Sequence, residues 1–476
     1  MTSAETKFKE VRVRIAPSPT GLLHLGTARA ALFNYLFAKH EGGKFILRIE
    51  DTDLERSKKE YEKDIIEALQ WLGLLWDEGP IRQSERTENY TKYLKKLLDE
   101  NKAYYCFCSE EELEGVRQDQ MSRGEPAVYN GKCRGLSREE VEKRLAKGEP
   151  AIIRFRTPAQ RVVFHDLIRD KVEFDSTLIG DFSIAKTLET PLYNFAVVID
   201  DYDMQISHVI RGEDHIPNTP RQILLLEALG FPKPQYAHLP MILGPDKSKL
   251  SKRHGATSVN YYRQDGYLAE AIINFMAFLG WNPGTEKEIY SLAALAKEFT
   301  LDKVQKAGAV FNIKRLDYLN GFYIRQKSVE KLTELCLPYL PQAPKDYLQK
   351  VVALHQERLK KLSEITEFSD FFFKDKLVYD KELLRWKGND NKETFASLDR
   401  VEKILSEITE EKWQKENLEK ILMAEAEAAG DRGLILWPLR AALTGKKASA
   451  GPIDIAAVLG KEKTLMRLKE AKELIK

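Results

Sequence analysis

The sequence predicts an α/β protein: a parallel sheet whose two halves are separated by an inserted α+β segment, followed by an all-helical region. Three observations predict this. Strand-like runs flank a helical repeat near the start of the chain, a second set of strand and helix signals returns only after residue 188, and strand signals become scarce beyond residue 258. The 476 residues allow about three domains at roughly one per 150 residues, each large enough for its own core.

Residues 11–15 alternate apolar and basic side chains as a strand does, and Pro17-Ser18-Pro19-Thr20-Gly21 stops the run. Leu25, Ala28, Leu32 and Leu36 then recur at helical spacing until Gly42-Gly43, and residues 44–50 read as another strand. This βαβ unit opens a Rossmann-like sheet. The other half of the sheet is expected in residues 195–201, read as a strand ending in two aspartates, in strands 206–210 and 239–243, and in a helix over about 219–229. Between the halves, residues 105–187 are rich in charge and carry β-like pieces at 151–156 and 172–174, which predicts a separate small α+β domain. Residues 267–281 are strongly apolar and helical, and amphipathic helices fill the chain from residue 328. Pro338, Pro341 and Pro344 mark a loop near that boundary, and the polar stretch 387–393 separates two helical subdomains. The expected divisions are 1–104 and 188–257 for the sheet halves, 105–187 for the insert, and 258–327 and 328–476 for the helical parts.

Lys and Arg total 75 against 73 Asp and Glu, a net charge of +2. This neither supports nor excludes a nucleic-acid partner, because binding depends on local patches. The first ten residues are polar, and no stretch approaches the roughly 18 apolar residues of a membrane span. A soluble, cytoplasmic monomer with no membrane partner is expected. The four cysteines, Cys106, Cys108, Cys133 and Cys336, are too few for a secreted disulfide scaffold, and three of them crowd one short segment.

Two segments carry the chemistry. Pro17-Ser18-Pro19-Thr20-Gly21-Leu22-Leu23-His24-Leu25-Gly26-Thr27 lies between a predicted strand and helix, offering backbone N–H groups and a helix N-terminus to phosphate, with His24 as a further donor and room at Gly26. Taken alone it reads as an ordinary βα turn. Lys249-Leu250-Ser251-Lys252-Arg253 sets three cations on a loop after a predicted strand, where a polyphosphate's charge can be neutralised. Taken alone it reads as a solvated basic turn.

In this order, on two halves of one parallel sheet, the segments resemble the two signature sequences of class I aminoacyl-tRNA synthetases. The strings Arg14-Ile15-Ala16-Pro17-Ser18-Pro19-Thr20-Gly21, Arg48-Ile49-Glu50-Asp51-Thr52-Asp53, Val209-Ile210-Arg211-Gly212-Glu213-Asp214-His215 and Leu439-Arg440-Ala441-Ala442-Leu443-Thr444-Gly445 are similar to those of bacterial-type glutamyl-tRNA synthetases, over essentially the whole chain. The resemblance implies L-glutamate, ATP with Mg²⁺, and tRNA(Glu) as partners, and a ligase that forms an adenylate and transfers it to tRNA. It implies that Arg14, Ser18, Glu50, Tyr193, Arg211 and His215 contact the amino acid, and that Ser18, Thr20, His24, Gly26, Thr27, Lys249, Ser251, Lys252 and Arg253 form the ATP site. His24, Lys249 and Lys252 would stabilise the developing charge. The chemistry of the residues agrees: guanidinium groups suit glutamate's two carboxylates and a carboxylate suits its ammonium. Glu50 also fits a second use, capping the next helix.

By the same resemblance the insert binds the tRNA acceptor end, residues 258–327 form a stem-contact domain, and residues 328–476 bind the anticodon, with Arg358 and Arg440 as contacts. Arg358, expected in a helix over 354–362, stands where an arginine accompanies recognition restricted to tRNA(Glu), so discrimination against tRNA(Gln) is expected. Cys106-Phe107-Cys108 and Cys133, with 24 residues (109–132) between the second and third cysteines, resemble a zinc-binding segment of some members. Those members carry a fourth ligand where this chain has Gly135. Tyr129, four residues before Cys133, is the substitute, as in a truncated relative. A zinc site with four ligands and three thiols without metal both remain open. Other readings are a non-discriminating enzyme of the same kind, a glutaminyl-tRNA synthetase, whose anticodon region would be a β-barrel, and a small-molecule nucleotidyltransferase, which leaves the long helical region unexplained. A binding-only relative would carry damaged signatures, whereas His24, Gly26, Lys249 and Lys252 are all present.

Overall fold

A computed structural model describes residues 8–53, 55–251, 253 and 257–476. They form two compact units, one running through Gln264 and taking in Ala269–Ile313, the other made of Asp265–Leu268 and Lys314–Lys476.

The first unit begins with β1 (Arg12–Ile15), α1 (Leu25–His40), β2 (Lys44–Ile49), α2 (Lys59–Trp71), β3 (Glu78–Arg82) and α3 (Thr87–Asp99). β1 pairs with β2, and β2 with β3, all parallel, with a helix crossing over between each pair. The residues between β3 and the second sheet half hold β4 (Ala103–Cys106), α4 (Glu110–Ser122), α5 (Arg138–Ala146), β5 (Ile152–Phe155), β6 (Arg161–Asp166), β7 (Asp170–Asp175), β8 (Ser183–Thr187) and the two-residue β9 (Thr190–Pro191). There follow α6 (Tyr193–Asp203), β10 (His208–Gly212), α7 (Thr219–Leu229), β11 (Gln235–Leu239), the short β12 (Ile242–Leu243), α8 (Val259–Gln264), α9 (Ala269–Ala277), α10 (Leu292–Glu298) and β13 (Ala309–Val310).

β10 and β11 pair in parallel, and the Ser207 amide donates to the Arg12 carbonyl at 2.9 Å, so β10 lies beside β1. The parallel strands therefore run β3-β2-β1-β10-β11, and the order reverses between β1 and β10. Ligands bind at the carboxyl ends of strands flanking such a switch point. α1 packs beside both strands and is buried on nearly every side: Leu25, Ala28, Ala31, Leu32, Phe33 and Leu36 have no exposed surface. Two polar residues inside it are bonded through part of their side-chain polar atoms. The Asn34 side-chain amide donates to the carbonyls of Ala30 (2.8 Å) and Ile210 (2.9 Å), and Arg29 donates to those of Leu279 (2.9 Å) and Pro240.

Two expectations are corrected. Residues 195–201 are not a strand but the middle of α6. Phe195 to Ile199 are all buried, and a run apolar on every face carries neither the period of two nor that of 3.6. The insert is also not wholly separate: β4, β5, β8 and β9 form their own antiparallel sheet, but the β6–β7 hairpin joins the parallel sheet, where Asp166 pairs with Tyr236 of β11.

The second unit is helical. It contains most of α11 (Ile313–Arg325), then α12 (Val329–Cys336), α13 (Lys345–His355), α14 (Glu364–Ser369), α15 (Asn391–Ser406), α16 (Lys415–Ala428), α17 (Gly433–Thr444), α18 (Pro452–Leu459) and α19 (Lys461–Ile475). Phe371, Leu384, Leu398, Leu418, Leu439 and Leu468 meet in its core. Arg467 is buried there and donates to the carbonyls of Leu443, Phe371 and Lys374. The expected helix over 354–362 is a correction too: α13 ends at His355, one 3₁₀ turn carries Arg358, and the chain is extended at Leu359. The carbonyl of Lys360 is taken by the Asn320 side chain at 2.6 Å, a tertiary bond that replaces helix continuation.

Candidate active site

A cavity of about 490 Å³ opens at the switch point. Its wall includes Arg14, Ser18, His24, Gly26, Thr27, Glu50, Tyr193, Arg211, His215 and Lys249, bringing most of the predicted site residues together. Each arrives from a strand end or helix start: Arg14 from β1, Glu50 just after β2, Arg211 from β10, His24 before α1, Tyr193 at the first position of α6. Thr20, Ser251 and Arg253 are not among the described lining residues. Arg253 instead donates to Ser248 Oγ at 2.6 Å, within its own loop. Lys252 lies outside the described residues.

Backbone bonds join the first signature segment to the chain just past the second. The Leu25 amide donates to the Thr257 carbonyl at 2.8 Å, and the Val259 amide to the Leu23 carbonyl at 2.9 Å. His24 caps α1: its Nδ1 accepts from the Gly26 amide at 3.0 Å. Burial and then the Lys249 charge push the His24 imidazolium pKa down, so the ring is neutral, and with Nδ1 accepting, the proton sits on Nε2. The sequence reading identified His24 as a donor; the structure adds that it is first a cap. Lys249 meets Asp214 at 3.1 Å, both substantially exposed. Burial raises the Asp214 pKa, but the Lys249 ammonium outweighs it and holds the carboxyl below its usual range.

Around Arg14 and Glu50 runs a charge network the sequence did not reveal. Arg48, with no exposed side-chain surface, donates to Asp201 at 2.6 Å and to Glu50 at 3.1 Å. Arg14 donates to both oxygens of Asp201, at 3.1 and 3.4 Å. Asp200 accepts from Gln83 (2.7 Å), Arg86 (2.6 Å) and Tyr90 (2.9 Å). Burial raises the Glu50 pKa above the ordinary carboxyl value despite Arg48 and Arg14, as for a carboxylate short of compensating charge. The signal was present in the sequence: two aspartates ending an apolar run need partners once buried.

Arg211 is held differently. Its Nε donates to His238 Nε2 at 3.2 Å and its Nη2 to Thr219 Oγ1 at 2.8 Å, while Nη1 is buried without a partner among the described residues. The Tyr193 hydroxyl lies 3.0 Å from His215 Nδ1. Burial, then Arg211, lowers the His215 pKa to about 4, and burial, then Glu50, raises that of Tyr193 to about 12, so both are neutral near pH 7. The two neutral groups share one hydrogen bond, whose donor is set by the tautomer of the His215 ring. The cavity thus presents one guanidinium with an unsatisfied donor, a second guanidinium, a partly compensated carboxylate and a helix N-terminus, a set suited to a dicarboxylic amino acid beside a polyphosphate.

The insert brings a second constellation together. The sulfurs of Cys106, Cys108 and Cys133 lie within 4.8 Å of one another. The Tyr129 hydroxyl is 3.4 Å from Cys106 Sγ and 3.5 Å from Cys108 Sγ, and it accepts from the Cys133 amide at 2.9 Å. Three soft sulfur donors and one oxygen converging in this way fit the donor chemistry of zinc.

Comparison with known proteins gives the same answer. The tRNA synthetases class I (E and Q) catalytic domain matches residues 10–318, and an anticodon binding domain matches residues 331–472. A glutamate–tRNA ligase 2 of Thermoanaerobacter pseudethanolicus is 46% identical, covering 98% of this chain and 99% of its own length. A glutamate–tRNA ligase of Carboxydothermus hydrogenoformans is 48% identical, covering 94% and 97%. Among solved structures, a glutamate tRNA ligase from Elizabethkingia meningosepticum in complex with its amino acid is 36% identical and superposes with a TM-score of 0.88, covering 98% of this chain and all of that one. A parallel sheet whose switch point gathers residues of both signature segments into one cavity, matched in sequence over that whole catalytic region, establishes that the chain belongs to the class I tRNA synthetases of the E and Q type.

Proposed function

We propose that the chain is a glutamate–tRNA ligase. It joins L-glutamate to ATP, forming glutamyl adenylate and diphosphate, and passes the glutamyl group to the 3′ end of tRNA(Glu), releasing AMP. One observation carries the substrate assignment: Arg14, Arg211 and Glu50 share a cavity with His24 and Lys249, and Arg211 Nη1 is buried without a partner among the described residues. Glutamate supplies two carboxylates and an ammonium, the charges this set lacks. Glutamine would leave one cation without a carboxylate partner, which is how the pocket rejects it.

In the first step an oxygen of the α-carboxylate attacks the ATP α-phosphorus and the bond to the diphosphate leaving group breaks. In the second, a terminal ribose hydroxyl of tRNA attacks the activated carbonyl and AMP leaves with the bonding pair. Neither needs a protein nucleophile, so the residues act by position and charge. Arg14, Ser18, Glu50, Tyr193, Arg211 and His215 hold the amino acid. Ser18, Thr20, Gly26, Thr27, Ser251 and Arg253 hold ATP, and His24, Lys249 and Lys252 meet the charge that grows on the phosphates. Mg²⁺ entering with ATP would supply further neutralisation of the phosphate charge. Cys106, Cys108, Cys133 and Tyr129 would hold a zinc ion, which would serve a structural part in the insert.

In this reading residues 105–187 take the acceptor end, 258–327 contact the stem and 328–476 read the anticodon through Arg358 and Arg440. The anticodon binding domain match over 331–472 supports the last of these, and Arg358 supports restriction to tRNA(Glu). Charging of purified tRNA(Glu) and tRNA(Gln) with labelled glutamate tests the reading. Attachment to tRNA(Glu) alone is expected; equal attachment to both identifies the non-discriminating form, and attachment to neither refutes the function.

A further inference from the structure

Arg211 lines the proposed glutamate pocket, yet nothing anionic touches it: among the described residues its hydrogen-bond partners are a neutral imidazole and a hydroxyl. Buried arginines normally meet carboxylates, as Arg14 and Arg48 do here. The anion belonging to Arg211 stands one residue further back. His238, adjacent to Arg211 across the β10–β11 register and fully buried, places Nδ1 2.6 Å from Oδ2 of Asp166, which is also fully buried. Asp166 is anchored in turn, its Oδ1 accepting from the amides of Ile168 (2.9 Å) and Arg169 (2.8 Å).

The chain of bonds fixes a tautomer. An ionised Asp166 accepts only, so His238 Nδ1 carries the proton, Nε2 offers a lone pair, and Arg211 Nε–H donates to it. With Nε and Nη2 satisfied by the framework, Nη1 is left without a protein partner among the described residues. A guanidinium oriented by neutral partners keeps its charge for an incoming carboxylate, whereas one paired directly with Asp166 would be neutralised beforehand.

We propose that Asp166 and His238 are positioning residues that aim Arg211 at the substrate carboxylate. Asp166 lies on β6, outside both halves of the catalytic sheet in sequence, so the inserted segment sets the amino-acid affinity of a pocket it does not line. This rests on the reading of Arg211 as a glutamate contact.

The test is ATP–diphosphate exchange by the intact chain with tRNA(Glu) present, varying glutamate. Asp166→Asn keeps an oxygen for the Ile168 and Arg169 amides but turns an NH₂ toward His238, forcing the tautomer that presents N–H to Arg211. It is expected to raise the glutamate KM about tenfold, with kcat and the ATP KM changed less than about twofold. His238→Phe, which leaves the Asp166 turn alone, is expected to do the same and serves if Asp166→Asn lowers the melting temperature below the assay range. Arg211→Lys alone should raise the glutamate KM, and adding Asp166→Asn to it should bring less than about a further twofold change, because the relay then has nothing to aim. Multiplicative effects in the double variant, or an unchanged glutamate KM in a folded single variant at 166 or 238, overturn the relay. An unchanged KM in Arg211→Lys overturns instead the assignment of Arg211 to glutamate.

Discussion

Arg48 Nη1 lies 2.6 Å from Asp201 Oδ1, and the same carboxylate holds Arg14. One buried anion thus serves two guanidiniums, one of which lines the cavity. Replacing Asp201 by Ala strands Arg14 and takes from Arg48 its nearest carboxylate, leaving it Glu50. Equilibrium denaturation is expected to show a loss of about 3–5 kcal/mol, as for other buried pairs deprived of one partner. Arg48→Met paired with Asp201→Asn should recover part of it, because no lone charge then remains between those two positions.

His355 gives the second unit an acid-sensitive point. The ring is fully buried beside Phe368 and Phe372, with neither nitrogen bonded among the described residues. Burial, then Arg358 and Lys446, lowers its pKa to about 4. The folded value is below the unfolded one of about 6.5, so the unfolded chain takes up the proton first. The stability this neutral ring contributes is therefore complete above pH 6.5 and is lost as pH falls toward 4 and below, approaching roughly 3 kcal/mol. Urea titrations at pH 7 and pH 5 should show His355→Leu to be less sensitive to acid than the parent chain.

The Lys249 ammonium pairs with exposed Asp214, a contact worth at most about 1 kcal/mol, so exchanging it for a phosphate costs little. Lys249→Ala is expected to lower the rate of ATP–diphosphate exchange about 100-fold at saturating ATP and to change stability by less than about 1 kcal/mol. His24→Asn, which can retain the cap, should preserve the melting temperature while lowering the same rate. A His24→Asn chain with normal exchange would show that the residue is only a cap.

For the cysteine cluster, elemental analysis of the purified chain should find about one zinc per molecule, and Cys133→Ser should lose it. Chelation should lower the melting temperature of the parent chain and leave that of Cys133→Ser unchanged.

The parts legible in the sequence were those with a local period or a fixed string. β1, α1 and β2 stand where alternation and helical spacing put them, and the strings around His24 and Lys249 do line one cavity. What escaped was nonlocal. α6 was mistaken for a strand because it is buried all around. The helix expected through Arg358 ended early because Asn320 takes the Lys360 carbonyl from 40 positions away. Asp166 and His238 are 72 positions apart and share no motif, so only folding reveals that one orients the other. The pairing of Arg48 with Asp201 spans 153 positions, and no local pattern links the two.

The most direct measurement is amino-acid-dependent ATP–diphosphate exchange with tRNA(Glu) present, run in parallel with each standard amino acid. Exchange with L-glutamate, at least about 100-fold faster than with L-glutamine, is the result predicted by a pocket that sets Arg14 and Arg211 against two carboxylates. Equal exchange with glutamine, or none with glutamate from a folded chain, would contradict it.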